Sequence, residues 1–230
     1  MAVVLAKASR GVAAVVDQID PYAEYWDARN DEARASGEPV WFVLGDSTAQ
    51  GIGAPSPERG WVGQLGEAVD ASQMFAGAPI PIINLSVSGA RTADLIEVQL
   101  PRYEALVAEL GTPLLTTVMI GANDVFRSPN VARLRRNLSE IAERLPAGAV
   151  LGALPQAGAS MIARLGNDRL VSLADQHRLV VARINRRSDI PYRQRIGQDR
   201  FHPSELGYRI WAEGFAEALG LTLAPRASDS

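Results

Sequence analysis

The chain contains no cysteine and only two histidines, and these shortages exclude several kinds of site. Without cysteine there is no disulfide, no thiolate metal site and no cysteine nucleophile. Two histidines are also too few for a histidine-rich metal centre. A mechanism that needs an imidazole as its base therefore has two candidates, His177 and His202.

Strong charge and long apolar runs are missing as well. The formal net charge of −3 gives no electrostatic reason to expect nucleic acid as a partner, because such a partner would need a basic face. No apolar run approaches the ~20 residues that span a bilayer. We therefore expect neither a transmembrane helix nor a nucleic-acid interface.

The N-terminal segment from Met1 to Val16 has short apolar blocks that Lys7 and Arg10 interrupt. A signal peptide would instead carry ~7–15 uninterrupted apolar residues. We predict an amphipathic helix that docks on its own domain, with peripheral contact to a membrane surface as the alternative. Without a convincing export signal the predicted location is cytoplasmic, and a membrane-associated or exported protein is the alternative.

The chain does contain a regular alternation of strand and helix patterns. Its 230 residues, 47% hydrophobic, suit one α/β domain with a sizeable core. Five apolar runs predict buried parallel strands: Val40–Leu44, Ile80–Leu85, Pro113–Ile120, Ala149–Leu154 and Leu179–Ile184. The alternation predicts a parallel sheet with helices on both faces.

Segments with helical spacing surround these runs. The predicted helices are Met1–Ser36 with a break at Pro21, Trp61–Phe75, Thr92–Leu110 disturbed at Pro101, Asn130–Leu145, Ser160–His177 and Ser204–Leu219. The loop Asn185–Arg200 is predicted to be irregular. With no repeat or linker in the sequence, we predict a helical extension over 1–36, one domain over 37–222 and a disordered tail over 223–230.

Three successive predicted strands end in small or polar residues: Gly45-Asp46-Ser47, Ser88-Gly89 and Gly121-Ala122-Asn123-Asp124. In an open parallel sheet the carboxyl ends of the strands lie side by side, and ligands bind there. A strand followed by Gly-Asp-Ser is by itself usually a turn. The functional interpretation therefore depends on what else reaches this edge.

A histidine block precedes the last predicted helix and reads Asp199-Arg200-Phe201-His202-Pro203. Pro203 suits a first helical turn, where its missing N–H costs nothing. A carboxylate three residues before His202 can reach the imidazole Nδ1, set its tautomer and stabilise the imidazolium. Ser47, His202 and Asp199 would then be nucleophile, base and orienter, with Asp189 as the alternative orienter. His177 is expected to interact with a helix dipole instead.

An acyl-transfer site also needs hydrogen-bond donors where negative charge develops on the carbonyl oxygen. Gly89 can bring a backbone N–H close because it has no side chain. Asn123 can supply a side-chain amide, and the backbone N–H of Ser47 is a third donor. Asp46 and Asp124, in contrast, are predicted to brace their loops.

Taken together, the four blocks around Ser47, Gly89, Asn123 and His202 resemble those of the SGNH (GDSL-type) hydrolase and esterase family, in the family's order. The resemblance spans Val40 to about Leu219. It implies a three-layer α/β/α flavodoxin-like fold and hydrolysis of esters or thioesters through an acyl-serine. It also implies Ser47, Asp199 and His202 as the catalytic residues, Ser47, Gly89 and Asn123 as the oxyanion hole, and no metal or organic cofactor.

One departure from the family's pattern is Thr48, where leucine often follows the serine. We expect Thr48 at the floor of the site, where it puts a preference for long acyl chains in doubt. The substrate class is a small-molecule or lipid ester. A carbohydrate O-acetyl esterase, a thioesterase and an acyltransferase that use the same site remain alternatives, as does a non-catalytic binding module.

Two further features invite a ligand hypothesis. Four arginines flank the predicted site segments and would favour an acidic or phosphorylated ester: Arg59, Arg91, Arg127 and Arg200. Gly51-Ile52-Gly53 looks like a phosphate loop, but it lacks a third glycine at the right spacing and a Walker lysine.

Overall fold

A computed structural model describes residues 10–72, 79–127, 129–155, 160–185 and 189–225. Its five strands are β1 (Trp41–Gly45), β2 (Ile82–Asn84), β3 (Leu115–Met119), β4 (Val150–Gly152) and β5 (Val180–Ala182). All neighbouring pairs are parallel, and the order across the sheet is β2-β1-β3-β4-β5. This is the flavodoxin-like order, so the predicted fold class is confirmed.

The central position of β1 decides which loops meet. Trp41 pairs with Ile82 on one side and with Leu115 on the other, and Gly45 ends level with Met119. The segments that follow β2 and β3 therefore flank the segment that follows β1. This is the juxtaposition that the sequence predicted for the three polar strand ends.

Eleven α-helices are defined in the described residues, and they surround the sheet. They are α1 (Arg10–Val16), α2 (Ile19–Ser36), α3 (Ser47–Gln50), α4 (Trp61–Ala71), α5 (Thr92–Asp94), α6 (Leu100–Leu110), α7 (Ala122–Phe126), α8 (Val131–Arg144), α9 (Met161–His177), α10 (Tyr192–Arg195) and α11 (Glu205–Ala218). A 3₁₀ turn covers Pro57–Arg59. Within the described ranges, none of the helices combines the length and the apolar character that a membrane span requires.

Several predicted boundaries differ from the observed ones. The N-terminal helix does not break at Pro21. It breaks at Asp17 and Gln18, and Pro21 lies in the first turn of α2, where a missing N–H is tolerated. The predicted irregular loop before the histidine block contains the short helix α10. The first crossover helix ends at Ala71, and residues 73–78 lie outside the described part of the chain, as do residues 226–230 of the predicted tail.

The predicted disturbance at Pro101 takes the form of a π turn. Residues Leu95–Gln99 form one turn of π-helix between α5 and α6, and the Leu100 N–H donates to the Leu95 carbonyl, five residues back. Pro101 has no N–H to donate to a carbonyl four residues back, so the regular ladder is interrupted at this point. The wider turn places Gln99 toward the sheet, where it is buried.

Two apolar layers pack on opposite faces of the sheet. Along β1, Phe42 and Leu44 join a cluster with α6, α8 and α9, whereas Trp41 and Val43 join a cluster with α4 and α11. This period of two, with both faces covered, is what a strand buried in a parallel sheet requires. Helix α2 lies at the β2 edge and contributes to both clusters through Trp26 and Ala33.

Candidate active site

Ser47 is the first residue of α3, directly beyond the carboxyl end of β1. Asp46 caps this helix, because its Oδ1 accepts hydrogen bonds from the Thr48 N–H at 2.9 Å and from the Thr48 hydroxyl at 2.7 Å. The first N–H groups of a helix have no partner within it, so the Ser47 N–H is available to a ligand. Asp46 thus braces the turn, and the hydroxyl of Thr48 belongs to the same brace.

The carboxylate of Asp46 is buried, with only 1% of the residue exposed. Its Oδ2 has no hydrogen-bond partner, and burial raises the pKa of this carboxyl above its ordinary value of 3.8. The hydrogen bonds from Thr48 act in the opposite direction and lower the pKa, because they favour the charged form.

Gln99 holds the same turn from the opposite side and was not predicted from the sequence. Its Oε1 accepts from the Gly45 N–H at 2.9 Å, and its Nε2 donates to the Gly45 carbonyl at 2.8 Å. Both bonds are buried. The signal available in the sequence was a glutamine at an inward position of a helix just before Pro101.

His202 and Asp199 reach Ser47 from the far end of the chain. The Ser47 Oγ lies 2.9 Å from His202 Nε2, and His202 Nδ1 lies 2.6 Å from Asp199 Oδ2. An imidazole that donates its Nδ1–H to the carboxylate presents Nε2 as an acceptor for the serine hydroxyl. The two side chains are only 12% and 6% exposed, which strengthens these interactions.

The turn that carries His202 is closed by its own hydrogen bonds. Asp199 Oδ1 accepts from the backbone N–H groups of Phe201 and His202, both at 3.1 Å. The Gly197 N–H donates to the His202 carbonyl at 2.7 Å. The carboxylate that contacts the imidazole is thus that of Asp199, the orienter preferred over Asp189.

The sequence predicted Pro203 in the first helical turn, but the structure places it before the helix. Ser204 is the N-cap of α11, and its hydroxyl oxygen accepts from the Gly207 N–H at 3.2 Å. Pro203 precedes the cap and forms an isolated antiparallel bridge with Ile196. The error arose because proline is also compatible with the extended backbone just before a cap. The other histidine, His177, lies in the last turn of α9, as predicted.

The loops with Gly89 and Asn123 lie on either side of α3. Asn123 is buried at the start of α7, and its Nδ2 donates to the Ala90 carbonyl at 3.0 Å. Gly89 has a left-handed backbone with φ of +82°, which favours glycine. The predicted amide donor and the predicted glycine are therefore in adjoining segments that hydrogen-bond to each other.

Polar side chains lock these loops to the helix that carries Ser47. Gln50, in α3, donates to the Ser86 carbonyl at 3.1 Å and accepts from the Ser88 hydroxyl at 2.5 Å. The two loops are also joined to each other, because Asp124 accepts from the N–H and the hydroxyl of Thr92 at 2.9 Å and 2.7 Å. The geometry agrees with the predicted role of Asp124 as a loop brace.

A mainly apolar cavity of about 320 Å³ lies beside the turn that carries His202, and neither Ser47 nor His202 is among its lining residues. Its lining includes the sequence neighbours of the site residues, namely Thr48, Ala122, Phe201 and Pro203. Phe126 and Phe201 also line it, with ring centroids 5.8 Å apart, and Phe201 lies edge-on to His202 at 5.0 Å. Both rings are partly exposed, at 38% and 41%.

The arginines that flank the predicted site segments have different surroundings. Arg59 is engaged by Glu205, with Nε 2.8 Å from Oε1. Arg200 lines the apolar cavity, and a guanidinium nitrogen of Arg127 lies 4.0 Å from where a Cβ on Gly89 would stand. In the described part of the chain, no group of three or more acidic or histidine side chains is placed to hold a metal ion.

A hydroxyl, an imidazole and a carboxylate in hydrogen-bonded order, at the carboxyl edge of a flavodoxin-like sheet, are the arrangement of a hydrolase. The model of the GDSL-like lipase/acylhydrolase family matches residues 43–210. The chain belongs to this family and is an ester-hydrolysing enzyme. The resemblance identified from the four sequence blocks is confirmed. No individually curated protein matches the chain.

Solved structures share the fold at low identity. TesA has a TM-score of 0.63 and 23% identity, over 78% of this chain and 97% of that one. A variant of Axe2, an acetyl xylan esterase from Geobacillus stearothermophilus, has a TM-score of 0.63 and 18% identity, over 82% and 97%. LAE5, an alpha/beta hydrolase enzyme from the metagenome of Lake Arreo in Spain, has a TM-score of 0.61 and 21% identity, over 80% and 97%.

Proposed function

We propose that the protein is a serine esterase that hydrolyses carboxylic esters through an acyl-serine intermediate. The observation that carries this proposal is the hydrogen-bonded chain from Ser47 Oγ through His202 to Asp199, at 2.9 Å and 2.6 Å. Both distances are within the reach that a nucleophile, its base and an orienting carboxylate need.

In the acylation step, His202 Nε2 removes the hydroxyl proton as Ser47 Oγ attacks the ester carbonyl carbon. The tetrahedral intermediate collapses, its bond to the alkoxy oxygen breaks, and the imidazolium returns the proton to the leaving alcohol. Water then repeats the sequence on the acyl-serine and releases the carboxylic acid. Asp199 stabilises the imidazolium in both steps without taking up a proton.

The carbonyl oxygen becomes negatively charged in each tetrahedral intermediate and needs fixed donors. The Ser47 N–H at the start of α3, the Gly89 N–H and the Asn123 amide are assigned to this role. The proposal is supported by the bond between Asn123 and Ala90, which uses one amide hydrogen and leaves the second available. Donors held by a folded loop need no reorganisation as charge develops.

The apolar cavity supports an apolar acyl group as the occupant. Its volume of about 320 Å³ is modest, and most of its lining is aromatic or aliphatic, as in Phe126, Ile210 and Trp211, although Asn185, Arg195 and Arg200 also line it. Such a lining favours short or medium apolar chains over a polar sugar. We therefore place simple carboxylic esters ahead of acetylated carbohydrates, thioesters and acyl transfer to another alcohol.

The experiment is labelling with a fluorophosphonate probe together with turnover of p-nitrophenyl esters. Ser47→Ala is expected to abolish both, whereas Ser139→Ala, on α8, where the hydroxyl bonds Arg135 and Arg169, keeps both. Labelling of any residue other than Ser47 would overturn the assignment. A panel of acetylated sugars, acyl-thioesters and added alcohols, measured with the same preparation, ranks the alternative substrates.

A further inference from the structure

The N-terminal helices contact the site although they lie outside the matched family region, which begins at residue 43. From the turn before α2, Gln18 makes two bonds to the loop Gly51-Ile52-Gly53-Ala54, the 51–54 loop. Its Nε2 donates to the Ala54 carbonyl at 2.9 Å, and its Oε1 accepts from the Gly53 N–H at 2.8 Å. The Tyr22 hydroxyl also donates to the Ala54 carbonyl, at 2.7 Å.

The 51–54 loop lies directly against the catalytic histidine. Gly53 has φ of +98°, and a Cβ placed on it would stand 2.7 Å from His202 Cβ and 2.7 Å from the Pro203 carbonyl oxygen. Real Cβ atoms do not approach carbon or backbone oxygen so closely, so the loop backbone is in tight contact with His202. A shift of this loop would thus be transmitted to the imidazole.

The loop is also fixed from the opposite side. The hydroxyl of Tyr208, fully buried in α11, donates to the Ile52 carbonyl at 2.6 Å. The side chains of α2 and α11 therefore hold the 51–54 loop between them. Of the three side chains named here, Gln18 and Tyr22 belong to the segment outside the matched family region.

Helix α1 contacts the other half of the turn that carries His202, residues 197–203, here called the histidine turn. Gly11 is buried, and a Cβ on it would overlap the Gln198 carbonyl and stand 2.9 Å from the Asp199 N. The helix backbone therefore packs directly on the segment that carries the orienting carboxylate. This contact is independent of the bonds made by Gln18 and Tyr22, and it points to the same function.

We propose that the segment from Gly11 to Tyr22 is a positioning element for the His202–Asp199 pair. It sets the distance between His202 Nε2 and Ser47 Oγ by supporting the histidine turn from two sides. Ser47 and His202 are 155 residues apart, and the turn around His202 is closed mainly on itself, so its placement depends on what it packs against. The effect of this segment on catalysis rests on the proposed function, whereas its contacts with the histidine turn do not depend on that function.

The test is the double variant Gln18→Ala/Tyr22→Phe in the full chain, with Tyr103→Phe as the matched control. Tyr103 is a buried tyrosine that makes one hydroxyl bond, to Thr116 at 3.2 Å, far from the carboxyl edge of the sheet. Because a misplacement of about 1 Å costs on the order of 10²-fold, kcat on p-nitrophenyl acetate is expected to fall roughly 10- to 100-fold at unchanged KM. Tyr103→Phe lowers the melting temperature and keeps kcat within about twofold.

Hydrogen–deuterium exchange of the peptide containing residues 197–203 gives a readout that does not need activity. We expect faster exchange of this peptide in the double variant and unchanged exchange in Tyr103→Phe. Unchanged exchange, or a folded double variant with kcat within twofold of the parent, would overturn the proposal. If the double variant does not fold, Tyr22→Phe alone is judged by the same two criteria. A parent chain without esterase activity would refute the proposed function and leave the exchange test intact.

Discussion

Asn123 shows how a single side chain joins fold and chemistry. It is buried, and it ties the loop after β3 to the loop after β2 through the Ala90 carbonyl. The same amide has a second hydrogen, which is the one assigned to the carbonyl oxygen of the substrate. The structural bond therefore holds the proposed oxyanion donor in place before substrate arrives.

Replacement of Asn123 by alanine removes the loop bond and the proposed oxyanion donor together, and comparison with a control variant separates the two roles. We expect Asn123→Ala to lower kcat by roughly 10²- to 10³-fold, because one oxyanion donor is lost, with little change in KM. The control is Asn137→Ala. It removes a hydrogen bond of 3.0 Å that the Asn137 side-chain amide donates to the Thr92 hydroxyl in the same loop region. Steady-state kinetics on a p-nitrophenyl ester check this. An equal fall of kcat in both variants would reduce Asn123 to a loop brace.

At the scale of elements, helix α7 and the histidine turn form one wall of the apolar cavity. Phe126 comes from the end of α7 and Phe201 from the turn, so the wall joins the loop after β3 to the segment before α11. Their partly exposed rings are not needed to close the core. An apolar surface of this kind is suited to the acyl chain of the proposed substrate.

Truncation of Phe126 tests the cavity as the acyl site. In Phe126→Ala, kcat/KM for a hexanoate ester is expected to fall roughly 3- to 10-fold relative to the acetate ester, because contact area for the longer chain is lost. Val171→Ala, at an exposed apolar residue of α9, is the control and keeps the ratio. Parallel assays of the two esters give the ratio directly. An unchanged ratio in Phe126→Ala would place the acyl group elsewhere.

Helix α2 directs the polar groups of Trp26 and Asn30 inward, whereas its charged residues are exposed. Trp26 Nε1 donates to the Gln50 carbonyl at 3.0 Å, and Asn30 makes two bonds to the backbone of Asn84, at 3.0 Å and 2.6 Å. These bonds satisfy backbone groups of α3 and of the edge strand β2 that would otherwise be buried without partners. The helix therefore completes the sheet edge as well as supporting the 51–54 loop.

At the scale of the whole molecule, this arrangement bears on the domain boundary predicted at residue 37. We expect a chain without residues 1–36 to lose at least about 4 kcal/mol of unfolding free energy, because the buried contacts of Trp26 and Tyr22 disappear together. That amount approaches the lower end of the roughly 5–15 kcal/mol by which whole domains are stable. Urea unfolding of both chains measures the difference. Equal midpoints and slopes would show that 1–36 is a dispensable extension.

The sheet and the three polar strand ends could be predicted because both signals are local. A buried parallel strand appears as an apolar run, and its end is marked by residues such as Gly45 and Gly121. The break at Gln18 was placed wrongly at Pro21, since a proline in a first turn and a proline at a break look alike in sequence. Helix α10 is only four residues long, too short to leave a periodic pattern.

What the sequence alone determined is the order of strands and helices and the family to which the four blocks belong. These are patterns read within a few neighbouring residues. Tertiary structure alone decided that Gln99 holds Gly45 from 54 positions away and that Gln18 holds the loop behind His202. Such bonds depend on how helices pack against the sheet edge, and a lone glutamine carries no local mark of a partner that distant.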